Sequence, residues 1–387
     1  MPGFELIDKN ELNEIKHIFK NGSVLFRQGF EGLRKKVYKV KKFEEKFRDK
    51  FKSKFSLAVT SGTSALRVAL EVLDLKENDE VITQSFTFVA TVEAIIESGA
   101  KPVCTEIDKT LNMDPKDLEK KITKNTKAVI VVHMLGTPAR MNDIRKICKK
   151  KNLSLIEDTA WGCGGKYNNK FLGTLGRMGT FSFDFAKSLT TGEGGMIVFK
   201  NKKDYLKAKA WHDHGHENNP KVPRWKDTRT SSGFNYRMSE LQGAVGLAQL
   251  KKLDKIIKLQ RMHAAEILKN IKDLPNVEVR YCENNCIQTF DSLIILLRNK
   301  KLAEKCRLNL NKKSINTKIL PEAKTWHFAK YWSHMPELAS SHKKNLINEF
   351  KKSEEILERC VSIPINCKMT KQNIFKIINV IKKIEKK

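Results

Sequence analysis

One lysine of this chain sits where an amine could act as a nucleophile. Residues 180–185 and 195–199 have the length and the aromatic and branched content of buried strands. Lys187, Ser188, Thr190, Thr191, Gly192 and Gly194 lie between them in a tight, glycine-rich turn. Phe183, Phe185 and Ala186 precede the lysine and would strip water from its ammonium. Desolvation lowers a lysine pKa, and a neutral amine attacks a carbonyl. A lysine whose stem merely snorkels out of a strand end is the plainer alternative, and this stretch alone does not decide between them.

The elements that must position Lys187 begin near residue 57. Short apolar strands at 57–60, 80–82, 102–107, 128–134, 153–156, 180–185 and 195–199 alternate with amphipathic helices, among them 64–73, 88–97 and 142–151. This alternation predicts an α/β domain with a mostly parallel seven-stranded sheet covered on both faces. In such sheets functional groups gather at the carboxyl ends of strands. The first strand end carries Ser61-Gly62-Thr63-Ser64 leading into a helix, which either cradles a phosphate or simply caps the helix. The second carries Ser85-Phe86-Thr87-Phe88, an aromatic ring near that cradle. The fifth ends in Glu157-Asp158, where a carboxylate pairs with a cation or caps the next turn, and the sixth leads to Lys187. Phosphate cradle, ring, carboxylate and lysine on one sheet edge fit pyridoxal phosphate: Schiff base on the lysine, pyridine nitrogen on the carboxylate, ring stacked on the aromatic.

The same blocks resemble those of the DegT/StrS sugar aminotransferases. They are Ser61-Gly62-Thr63-Ser64-Ala65-Leu66, Thr87-Phe88-Val89-Ala90-Thr91, Glu157-Asp158, Ser182-Phe183-Asp184 through Lys187 to Gly195, and Gly233-Phe234-Asn235-Tyr236-Arg237-Met238-Ser239-Glu240. Ser362-Ile363-Pro364 with Met369-Thr370 resembles the family's ending. The resemblance implies a dimeric fold-type-I enzyme with a large pyridoxal-phosphate domain over 1–250 and a smaller α+β C-terminal domain over 251–387. It implies Lys187 as the Schiff-base lysine, Asp158 on the pyridine nitrogen and Phe88 stacked on the ring. It also implies Thr63, Ser64 and Ser182 on the phosphate, and Asn235 reaching the phosphate from the neighbouring subunit. A lysine at 187, where a dehydratase-like branch carries histidine, is similar to the transaminating branch. Trp161 departs from the pattern: many members have a glutamine there that contacts the cofactor's phenolic oxygen, whereas an indole offers one N–H.

Composition bounds the rest. The chain has 387 residues, 40% of them hydrophobic, and a formal charge of +30. The basic residues are spread along the chain without a basic–aromatic repeat, which favours solvated lysine or an anionic substrate over nucleic acid. Eight scattered cysteines read as free thiols, and no secretory or membrane-spanning run is visible, so a cytoplasmic enzyme is expected.

Helical spacing runs through 10–20, and Phe43, Phe47, Phe51 and Phe55 form one apolar stripe. A long amphipathic helix is expected from Leu247 onward, joining the domains. His212, His214 and His216 alternate along one face if that segment is extended. A metal there is disfavoured, and the resemblance makes His214 and His216 substrate-site candidates. The cluster 326–332 reads as small-domain packing or as a substrate wall containing Trp326. This cluster, the opening Met1-Pro2-Gly3-Phe4-Glu5-Leu6 and the loop 213–216 together resemble the 8-amino-3,8-dideoxy-octulosonate transaminases, a branch that aminates an eight-carbon sugar acid destined for lipopolysaccharide. The expected activity is transfer of an amino group, with glutamate as donor, to an anionic oxo sugar. The alternatives are a nucleotide-linked keto-hexose acceptor and a non-catalytic regulatory protein that keeps the pocket.

Overall fold

The computed structural model describes residues 2–219, 221–342 and 345–385. Seven strands form the central sheet: β1 (Phe55–Val59), β2 (Glu80–Gln84), β3 (Lys101–Thr105), β4 (Thr126–Val132), β5 (Ser154–Asp158), β8 (Met178–Ser182) and β9 (Gly195–Phe199). Their order is β1-β9-β8-β5-β4-β2-β3. All the pairings are parallel except the two made by β9, which runs against β1 and β8. Two-residue strands β6 (Lys166–Tyr167) and β7 (Lys170–Phe171) form a side hairpin joined by β11 (Cys286–Ile287).

The near-continuous apolar strands are buried on both faces, as a helix-covered sheet requires. Alternation assigns the faces. Leu57, Val59, Ile197 and Phe199 join a cluster with the helix Gly62–Glu71, while Ala58, Met196 and Val198 pack against the helices Lys39–Phe51 and Glu240–Ile271. Phe43, Phe47 and Phe51 form the expected stripe, with the ring of Phe47 centred 5.0 Å from that of Phe181 and 4.2 Å from that of Phe51. Phe55 does not belong to it. Lys52 turns left-handed (φ 55°) and ends the helix, so Phe55 opens β1 and stacks on Tyr205.

The long helix starts earlier than its periodicity suggested, at Glu240, because Ser239 and Gln242 form a reciprocal capping box upstream of the apolar run. It runs unbroken past residue 250 to Ile271. Beyond it, β10 (Val277–Val279), β12 (Ser292–Leu297) and β13 (Cys360–Pro364) form an antiparallel sheet. Helices Lys300–Asn311 and Lys371–Glu385 share its core through Cys306, Leu310, Ile377 and Ile381. Among the described residues no helix is long and apolar enough to cross a membrane.

Candidate active site

A cavity of about 380 Å³ opens at the carboxyl ends of β1, β5 and β8, and Ser61, Gly62, Thr63, Phe88, Asp158, Trp161, Ser182 and Lys187 line it. Its floor is the start of the helix Gly62–Glu71, whose first N–H groups have no partner within the helix. A Cβ on Gly62 would lie 2.7 Å from the Cβ of Ser182, so only glycine lets these two segments close into a cradle. Ser64 does not line the cavity. Its hydroxyl is engaged within the cap, accepting from the N–H of Ser61 (2.9 Å) and donating to the Ser61 carbonyl (2.9 Å).

Strand alternation sends the two carboxylates of β5 opposite ways. Asp158 faces the cavity and is held by the Thr91 hydroxyl and the Ala160 N–H, each at 3.1 Å. Burial raises its pKa, opposed by those two donors and by the nearby Lys187 charge. A cation above it would favour the carboxylate. Glu157 faces inward. It accepts from the N–H groups of Gly173 (2.9 Å), Leu175 (2.6 Å) and Gly176 (2.6 Å) and lies 3.0 Å from His133 Nε2. His133 Nδ1 accepts from Ala139 N–H, which leaves the ring proton on Nε2, facing Glu157.

Lys187 is 8% exposed, and its ammonium lies 3.1 Å from the centre of the Trp161 ring. Burial first, then the nearby Lys318 charge, bring its pKa down from 10.5 to about 8, against the pull of Asp291, Asp184 and Asp158. The turn that carries it is pinned by the Ala186 N–H on Asp184 Oδ1 (2.9 Å). The chain's opening segment docks on this turn, with Gly3 N–H on the Lys187 carbonyl at 3.1 Å and Phe4 against Phe185.

The structure thus gathers Thr63, Phe88, Asp158, Ser182 and Lys187 around one cavity and leaves the other candidates outside it. Trp326 is exposed and stacks on the outer side of Phe88 with ring centres 6.5 Å apart. Asn235 is exposed and pairs with the backbone of Asp213. The three histidines do not share a face: His212 is buried against Arg27, His214 is exposed with φ +56°, and His216 lies 3.3 Å from Asp227. The cause is Asp213, whose carboxylate is clamped by Arg224 and Arg237 from further along the chain, which folds the segment into turns. Among the described residues no group of three or more His, Cys, Asp or Glu could hold a metal. His327 was missed. It lines the cavity beside Phe88 and donates from Nδ1 to the Ala323 carbonyl (2.9 Å), and burial pushes its pKa down to about 4. Its only signal was its place next to Trp326.

The donor set fits the group expected from the sequence. An N-terminal cradle with hydroxyls suits a phosphate, a buried carboxylate suits a protonated ring nitrogen, and a desolvated amine stands between them. Fold and site together define a fold-type-I, pyridoxal-phosphate-dependent aminotransferase. Residues 8–382 match the DegT/DnrJ/EryC1/StrS aminotransferase family, and the chain belongs to that family of sugar aminotransferases. It is 38% identical over 280 residues to the GDP-perosamine synthase of Escherichia coli O157:H7, covering 72% of this chain and 75% of that protein. An uncharacterized protein of Methanocaldococcus jannaschii is 34% identical over 357 residues, covering 89% of this chain and 90% of its own length. The solved structure of Helicobacter pylori PseC, an aminotransferase involved in the biosynthesis of pseudoaminic acid, matches with a TM-score of 0.85 at 25% identity over 98% of this chain and 97% of that one.

Proposed function

We propose that this sugar aminotransferase moves an amino group from glutamate to the terminal carbon of an eight-carbon oxo sugar acid, forming 8-amino-3,8-dideoxy-manno-octulosonate for lipopolysaccharide. Bound in the cavity, pyridoxal phosphate supplies a carbonyl for the amine and a ring that accepts the electron pair freed at the substrate carbon. Thr63, Ser182 and the first N–H groups of the helix Gly62–Glu71 hold the phosphate. Asp158, already fixed by Thr91 and Ala160, keeps the ring nitrogen protonated. Phe88 fixes the plane of the ring. Lys187 would hold the cofactor and, as a free amine, would move a proton at its Nζ, which is neutral for a useful fraction of the time near pH 8. The division at about residue 250 into a large cofactor domain and a smaller C-terminal one, a cytoplasmic location, and a homodimer in which Asn235 of a second copy reaches the cradle all belong to this reading. His214 and His216 then act on substrate in the neighbouring copy's cavity, and Trp326 forms an outer wall.

The observation that carries the sugar-acid reading is the docking of the opening segment on the Lys187 turn, together with the packing of Trp326 and His327 on Phe88. These are two of the three stretches that resemble the octulosonate branch, and both lie at the site. Met1 falls outside the described residues. A nucleotide-linked keto hexose is the second reading, favoured by the likeness to a GDP-perosamine synthase. A half-reaction separates them. The enzyme is first brought to its amine-loaded form with glutamate, then offered an 8-oxo octulosonate or a nucleotide-linked 4-keto hexose. Return of the aldehyde-form absorbance with the sugar acid alone is the expected result. Return with the nucleotide-linked sugar alone replaces the acceptor and leaves the mechanism standing.

A further inference from the structure

The indole at position 161 has two cations on it. Lys187 Nζ lies 3.1 Å from the ring centre and Lys318 Nζ lies 4.7 Å from the same centre, both within cation–π range. Lys318 is not free to leave. Asp291 holds its ammonium through both carboxylate oxygens at 2.9 and 2.7 Å, and that carboxylate is itself 2% exposed. The backbone that carries the ring is tied to the same segment, because the Trp161 carbonyl accepts from the Thr289 hydroxyl (3.3 Å), two residues before Asp291. Position 161, Lys318 and the 289–291 segment therefore form one rigid unit that sets a second positive charge beside the lysine of the site.

We propose that Lys318 is a positioning residue that tunes Lys187: pinned by Asp291 and seated on Trp161, its fixed charge disfavours protonation of the neighbouring amine and keeps that amine available as a base. Repulsion between ammonium groups sharing one ring favours the neutral form of whichever is less compensated. Lys318 has a bidentate carboxylate, whereas Lys187 has no ion-pair partner among the described residues and meets Asp158, Asp184 and Asp291 only across space. His327, a further titratable group lining the same cavity, is kept neutral near pH 7 by burial and does not oppose the effect. A glutamine at 161 would offer amide hydrogen bonds and no ring. Tryptophan instead seats both lysines on one ring.

The inference rests on Lys187 being the lysine that carries the cofactor, and its test separates the two ideas. Full-length enzyme loaded with pyridoxamine 5′-phosphate, the state in which the Lys187 amine is free, is treated across pH 6–11 with limiting formaldehyde and cyanoborohydride. Methylation of the Lys187 peptide is then read by mass spectrometry. Lys318→Met and Lys318→Gln are expected to raise the midpoint for Lys187 methylation by about one pH unit, lowering the extent at pH 8 about five-fold, while Lys318→Arg leaves the midpoint in place. The same pair of changes should move the acidic limb of the half-reaction pH profile to higher pH, which a purely structural role would not do. Midpoints for both neutral variants within 0.2 units of the parent, with normal melting temperatures, overturn the proposal while leaving the role of Lys187 untouched. Borohydride trapping of pyridoxal phosphate on a residue other than Lys187 in the aldehyde-loaded enzyme overturns the reading beneath it. If one neutral variant fails to fold, the other carries the test.

Discussion

The two edges of the central sheet each hold a cavity, and they differ in a way that locates the chemistry. At the amino ends of the parallel strands, a cleft of about 920 Å³ is lined by Lys50, Lys52, Lys54, Lys170, Arg177 and Lys200 among others. At the carboxyl ends the cavity is less than half that size, about 380 Å³. The strands between are five residues long, so the two lie roughly 17 Å apart. The larger cleft has more charge, yet its cations are either solvated or already committed: Lys50 to Asp254, Arg177 to Asp204, Lys200 to the Leu175 carbonyl, each at 2.7 Å. The smaller cavity holds a buried amine with no ion pair and a buried carboxylate whose charge is costly. Chemical capacity follows uncompensated burial more than size or charge count, because a group already at its solvated or paired minimum has nothing further to give a ligand.

The largest expected effect tests that contrast directly. Lys187→Ala should remove the visible absorbance band that borohydride traps and lower the half-reaction rate by about 10³-fold or more, whereas Lys52→Ala with Lys170→Ala should leave both within about two-fold. A trappable band that survives in Lys187→Ala would move the cofactor lysine elsewhere. Next in size is Glu157→Gln. This carboxylate ties His133 and three backbone N–H groups behind the site, and an amide offers one acceptor oxygen to them. A loss of about 3 kcal/mol in urea unfolding is expected, and a change under about 1 kcal/mol would mean that water or relaxation replaces those bonds.

The uncompensated amine should also be visible as a stability cost. Lys187 has a folded pKa of about 8 against 10.5 when unfolded, so between those values the unfolded chain binds more protons and stability rises with pH. Below pH 8 the full penalty applies, about 3 kcal/mol. Lys187→Met in the cofactor-free enzyme should therefore be more stable than the parent by up to about 3 kcal/mol at pH 7, and the gain should fade as pH approaches 10.5. Urea midpoints at pH 7 and pH 10 measure it. An advantage that does not shrink with pH would assign the gain to packing.

Much of this arrangement was legible in the chain, for reasons that also explain what was not. Lys187 and Asp158 stand at the ends of strands whose apolar runs are buried on both faces, so counting strands placed them on one edge. Phe55 was misplaced because i+4 spacing continues across the left-handed Lys52, which no periodicity records. Ser64 has the residue type of a phosphate ligand and the position of a cap, and the cap won because its partner Ser61 is local. The histidines at 212, 214 and 216 were read as extended, but the long-range clamp of Asp213 by Arg224 and Arg237 folds them apart. His327 and the unit of Trp161, Lys318 and Asp291 join residues more than a hundred positions apart and leave no local pattern.

The smallest expected effect concerns what covers the active edge. Gly3 has an ordinary right-handed backbone, so glycine is needed there for space alone: a Cβ would lie 2.7 Å from the Lys187 carbonyl oxygen and 3.0 Å from that of Ser188. Gly3→Val should lift the opening segment from the Lys187 turn, breaking the Gly3–Lys187 hydrogen bond and the Phe4–Phe185 contact at a cost of about 1–2 kcal/mol. Because the helix Lys9–Phe19 is anchored separately, through Glu11 on Lys252 and Gln249, the fold should survive and only the first residues should loosen. Limited proteolysis should then cut before residue 8 several times faster, with the sugar-dependent half-reaction slowed about three- to ten-fold and the glutamate half-reaction nearly unchanged. Equal slowing of both would show that the segment holds the Lys187 turn for every substrate, and that the sugar is selected elsewhere in the cavity.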